Sequence, residues 1–132
     1  MSDMNMSQSF ARMWHVAAAL TSRSENETKS TCLKNRVFDE CPFVWKNYSE
    51  RGYLTSFGED SGKEGGIFVT YWKGFSKPPT DFYFRPYGVF TEEKLRKDWT
   101  DVCYGPRLAW EVLLNYAQKL AYIMNKEDQR YF

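Results

Sequence analysis

Residues 106–126, PRLAWEVLLNYAQKLAYIMNK, decide how the rest of the chain is read. Trp110, Leu113, Leu114, Ala117, Leu120, Ala121 and Met124 recur at spacings of three and four, which lines them along one side of an α-helix. Leu108, Val112, Tyr116 and Ile123 form a second apolar strip, and Tyr122 widens the arc. Only Glu111, Asn115, Gln118, Lys119 and Asn125 are clearly polar. Gly105 breaks the preceding chain, and Pro106 suits a first helical position because its missing N–H is not needed there. At 1.5 Å per residue such a helix is about 30 Å long. One core contact needs one apolar stripe, so the second strip has two readings. Either the helix is buried on two sides, between a sheet and another helix, or its second strip meets another chain.

Upstream, residues 67–73 (IFVTYWK) read as the best strand. Ile67, Val69 and Tyr71 alternate with Phe68, Thr70 and Trp72, and both faces are largely apolar, so both should be covered. Residues 36–46 (RVFDECPFVWK), 53–57 (YLTSF) and 81–85 (DFYFR) read as further extended segments, with Pro42 confining the first to an edge. Residues 58–66 (GEDSGKEGG) are a loop, and Pro86-Tyr87-Gly88 a turn. Met6, Phe10, Met13, Trp14, Ala17 and Ala18 trace a first helix ending near Ser22. Thr91 is a natural N-cap for a helix carrying Leu95, Trp99 and Val102. Residues 1–6 and the polar stretch 22–35 read as flexible. The expected architecture is a single α+β domain over 1–132. It has an antiparallel sheet of three to five strands, with an N-terminal helix and two C-terminal helices packed on one side.

Composition narrows function more by exclusion than by assignment. Eighteen Lys plus Arg stand against seventeen Asp plus Glu, so no whole-chain field steers it to nucleic acid or an anionic membrane. No stretch reaches the roughly 20 apolar residues of a membrane span, and the first residues lack a signal-peptide pattern. With Cys32, Cys41 and Cys103 an odd number, the expectation is reduced thiols in a cytoplasmic protein. In that compartment the sequons Asn26-Glu27-Thr28 and Asn47-Tyr48-Ser49 carry no modification.

No catalytic residue, metal ligand set or cofactor motif emerges. His15 has no local nucleophile or orienting partner, and the cysteines lack the close pairing of a zinc site. Gly58–Lys63 (GEDSGK) departs from a phosphate-binding loop in spacing, and Glu64 stands where a hydroxyl is required. The acidic pairs Asp39-Glu40, Glu59-Asp60 and Glu92-Glu93 read as solvated charge.

What stands out is the aromatic share, 18%, with five Trp, nine Tyr and ten Phe. Rings beyond those a core needs belong at the surface, where Trp, Tyr and Arg dominate interface energetics. The expectation is a non-catalytic adaptor or inhibitor that binds another protein through Trp72, Phe75, Tyr83, Arg85 and Tyr87. Leu108, Val112, Tyr116 and Ile123 offer a possible second interface, for a partner or for self-association. One alternative is nucleic-acid binding through the aromatic and basic residues of 71–87. Another is an enzyme or small-ligand carrier with a pocket between sheet and helices.

Overall fold

The computed structural model describes residues 16–32, 37–62, 66–68, 73–95 and 103–132. Helix α1 is described over residues 16–21, followed by α2 (Glu25–Cys32) and α3 (Val44–Glu50). Strands β1 (Ser56–Phe57) and β2 (Phe82–Tyr83) come next, then α4 (Arg85–Leu95), β3 (Cys103–Tyr104), β4 (Arg107–Leu108) and α5 (Ala109–Lys126). Strand β1 pairs with β2 in parallel, and β3 pairs with β4 antiparallel, as two separate ribbons. The expected antiparallel sheet of three to five strands is therefore wrong: among the described residues, helices dominate and each ribbon has two strands.

Each departure has a local cause. The polar stretch 22–35 holds α2 because Ser24 and Glu27 form a reciprocal capping box. The Ser24 amide donates to Glu27 Oε2 at 3.0 Å, and the Glu27 amide donates to Ser24 Oγ at 3.4 Å. Thr28, fully buried, anchors the helix inward by donating to the Ser24 carbonyl and pairing with the Thr21 hydroxyl. The expected strand over 36–46 instead turns at Phe38–Cys41 and enters α3 at Val44. Of the expected strand 67–73, Ile67 and Phe68 lie in a turn, while 69–72 fall outside the described residues.

Helix α4 begins at Arg85, not at Thr91. Pro86 is tolerated in a first turn, and Thr91 lies within the helix, donating its hydroxyl to the carbonyls of Tyr87 and Gly88. Its expected companions Trp99 and Val102 fall outside the described residues, as does the helix expected before residue 16. Pro106 does not open α5. It sits with Gly105 in the β3–β4 hairpin, where Gly105 takes the positive φ (62°) that such a two-residue loop requires.

The long chain between β1 and β2 permits their parallel pairing. A parallel pair needs a crossover of a dozen or more residues, and this one carries Phe68 and Phe75 into the core. Asp81 clamps the start of the pair: its carboxylate accepts from the Thr55 amide (2.8 Å) and the Thr55 hydroxyl (2.9 Å). On the other side of β1, Leu54 bridges Tyr131, and the amides of Leu54 and Ser56 donate to the carbonyls of Arg130 and Phe132.

The core gathers Phe38, Phe43, Trp45 and Phe68, with Phe57 and Phe75 packed against it. Phe43 stacks on Trp45 at 4.3 Å between centroids and meets Phe68 edge-on at 5.3 Å. Phe38 meets Phe68 edge-on at 4.9 Å. A second close contact joins loop to helix: a Cβ on Gly62 would run into the backbone of Gly88 and Val89. The Gly62 amide donates to the buried Glu92 carboxylate there.

Phe43→Ala should cost about 3–5 kcal/mol, the usual range for deleting a buried ring, read as a lowered urea midpoint. Gly62→Ala should destabilise as well, because the backbone it meets cannot rotate away.

Candidate functional site

Among the described residues helix α5 is the longest element, and its burial follows a line that neither predicted strip describes. At about 100° per residue, Ala109, Leu113, Tyr116, Leu120 and Met124 fall on one line. Ala109 and Met124 are buried, and the other three half-buried. That line runs between the two strips read from the sequence. Each strip is therefore split: Leu113, Leu120 and Met124 of the first and Val112 and Tyr116 of the second are buried or half-buried, while Trp110, Leu114, Leu108 and Ile123 are exposed. Trp110 (51% exposed) and Leu114 (60%) face out on one flank. Ile123 (49%), Tyr122 (69%) and Leu108 (38%) are exposed elsewhere on the helix and at its start.

A groove lies along each flank. The first, about 370 Å³, is walled by Leu113, Leu114, Ala117 and Ala121 of α5, with Leu54 of the β1 segment and Phe132 opposite. Its lining is mostly apolar, with Thr55 and Ser56 among the polar exceptions. Gly58 keeps its floor low: a Cβ there would press on Leu113 and Phe84. The second groove, about 280 Å³, runs between α5 and the start of α4. Tyr83, Tyr87, Val112 and Tyr116 line it, with Arg107 and Lys119 adding positive charge. Phe84 supports it from below, its ring 5.2 Å from Tyr87 and 5.0 Å from Tyr116.

The second groove brings together residues that sequence reasoning had kept apart. Tyr83 and Tyr87 come from the first expected surface, and Val112 and Tyr116 from the second. Leu108 and Ile123 stay exposed but do not line it. Phe75 is half-buried in the aromatic core, 5.3 Å from Phe68 and 5.9 Å from Phe43. Trp72 and His15 fall outside the described residues. Arg85 is half-buried at the start of α4, and its Nε is buried without a hydrogen-bond partner. Arg107 and Lys119 were missed because only tertiary packing sets them beside the tyrosines.

Burial sets the electrostatics around this site. It pushes the Tyr83 hydroxyl up to about 12, against the pull of Arg85, so the ring is a neutral donor at any physiological pH. Burial also pushes the Glu59 carboxyl above its ordinary range; the Ile67 amide, donating at 2.6 Å, and Arg85 oppose it. Asp39 goes the other way. Burial would raise it, but amide donors from Ser76 and Lys77 outweigh that and hold it below its ordinary range.

Among the described residues, no group of three or more His, Cys, Asp or Glu side chains is placed to hold a metal ion. No described helix is long and apolar enough to cross a membrane. Cys103 is a free, half-buried thiol. Cys32 and Cys41, expected as reduced thiols, are joined in a disulfide with their Cα atoms 4.9 Å apart.

A family model described as "Protein of unknown function (DUF229)" matches residues 13–132. The chain therefore belongs to that family. No curated protein and no solved structure matches it.

Two titrations check the site. Tyr83→Phe should remove a component ionising at about pH 12 from the tyrosinate absorbance titration. Glu59→Gln should leave the protein at least as stable as the parent at neutral pH, because it removes a charge that burial penalises and keeps an oxygen for the Ile67 amide. The sign follows from the raised folded value. The parent regains a proton as pH falls through that value, before the unfolded chain does near about 4.3. Its deficit against the variant should therefore shrink with acidification in thermal melts.

Proposed function

We propose that this member of the DUF229 family is a non-catalytic interaction module that seats a segment of another protein along α5. The observation that carries the reading is the exposed apolar flank of that helix, Trp110 and Leu114, with a groove on either side. Large exposed apolar residues gathered beside concave surface mark binding sites more often than scattered single ones do. Tyr83, Tyr87 and Tyr116 supply rigid aromatic contact at low entropic cost, and the Tyr83 hydroxyl supplies a neutral donor. Arg107 and Lys119 select the partner's chemistry: an apolar segment flanked by acidic side chains. Two cations are few for nucleic acid, where affinity grows with each phosphate neutralised.

A small-ligand carrier is the second reading, and the first groove favours it. Its volume of about 370 Å³ lies in the range of small-molecule sites, but few polar groups converge there to orient a ligand.

The test places a photo-crosslinking residue at Leu114 or Tyr87 of the natural full-length protein in its own cells, with Lys29 as control. Capture of a separate polypeptide at the first two positions, and not at the control, is the expected result. Capture only within its own chain, or none, overturns the reading. A bound small molecule in native mass spectra would favour the carrier. Leu114→Glu should weaken the captured interaction at least tenfold, about 1.4 kcal/mol. Being a surface change, it should shift stability by no more than about 0.5 kcal/mol.

A further inference from the structure

We infer that Asn26 and Asn47 carry N-linked glycans, and that the Cys32–Cys41 disulfide marks the oxidising compartment in which they are added. Each asparagine opens an Asn-x-Ser/Thr triplet whose middle residue is not proline, Asn26-Glu27-Thr28 and Asn47-Tyr48-Ser49. Such triplets are silent in a reducing compartment. The bond between Cys32 and Cys41 changes that reading, because structural disulfides form and persist where proteins are secreted or displayed.

Both asparagines are exposed, Asn26 on α2 and Asn47 on α3. The helices bury other residues: Thr28 and Cys32 on α2, and Trp45 on α3. Tyr48, the middle residue of the second triplet, stacks on Phe132 at 4.0 Å. A bulky, solvated group on either asparagine therefore has room without disturbing the core. The two triplets differ in one respect. Thr28 has a task in the fold, hydrogen-bonding to Ser24 and Thr21, whereas Ser49 lies exposed. The second triplet is the one whose hydroxyl the packing does not require.

The chemistry is a transfer from a lipid diphosphate-linked oligosaccharide. The asparagine Nδ2 bonds to the anomeric carbon, and the anomeric C–O bond breaks. Its electron pair leaves with the lipid diphosphate, and one amide proton passes to a base. The disulfide forms as two thiols give two protons and two electrons to the disulfide of an oxidoreductase, which becomes a dithiol.

The test uses the natural full-length protein made in a eukaryotic cell with its own flanking sequence. Unreduced peptides should contain Cys32 linked to Cys41. Treatment with a peptide N-glycosidase should convert Asn26 and Asn47 to aspartate, read site by site in the mass spectrum. Asn47→Gln and Ser49→Ala should each remove the same single step of gel mobility, the second without touching the asparagine. Asn26→Gln tests the first site; Thr28→Ala is unsuitable because it also removes a buried hydrogen bond. Recovery of either asparagine unmodified overturns the proposal for that site. Free thiols at Cys32 and Cys41 overturn the compartment on which both sites rest.

Discussion

The contact between Phe43 and its neighbours is the one the rest of the structure depends on. Phe43 stacks on Trp45 and meets Phe38, Phe68 and Phe75, which arrive from separate turns and loops. The regular elements around it are short. Each strand has two residues, and α2 and α3 have eight and seven. Isolated helices below about 12–15 residues are marginal in water, and an isolated pair of strands is no better. These segments therefore persist because rings carried on irregular chain bury one another, each removing on the order of 150–250 Å² from water. Polar clamps, Asp81 on Thr55 and Asp39 on the Ser76 and Lys77 amides, then hold the intervening loops in register.

A core built this way has a consequence for α5. The aromatic cluster satisfies itself around α3, β1 and the loops between, so it asks for little from the last helix. On α5 only Ala109 and Met124 are fully buried, at the two ends of one line. The apolar residues on either side of that line remain at the surface or along grooves. That arrangement is costly for a chain left alone in water, since exposed apolar patches invite association. It is useful if the flank is covered by a partner. Glycans on α2 and α3 would keep other faces solvated, so that association runs through α5.

The sequence was most legible where a physical signal was local and strong. The amphipathic periodicity of 106–126 located α5, with only its first turn displaced into the Gly105-Pro106 hairpin. Of the expected loop 58–66, the described residues 58–62 and 66 are irregular, as glycine content suggested, and β1 falls within the extended segment expected at 53–57. The polar stretch 22–35 was misread because composition outweighed its capping signal: Ser24 and Glu27 stand at capping-box spacing and open α2. The segment 36–46 was misread, and 81–85 overextended although 82–83 form β2, because aromatic and β-branched residues favour strands on average. Here those side chains serve a core built from turns and helix starts, and the extended backbone stops after two residues at β2.

By itself the sequence determined an aromatic-rich chain with balanced charge, no recognisable catalytic or metal motif, and one long amphipathic helix near its end. Those properties are sums or short-range periodicities, and they hold whatever the chain packs against. Tertiary structure alone decided which line of that helix is buried, that Tyr83 and Tyr87 meet Val112 and Tyr116 in one groove, and that Cys32 pairs with Cys41. Each depends on which distant segments the aromatic core brings together. Two apolar strips on one helix look equally fit for burial until the position of the core selects the line between them.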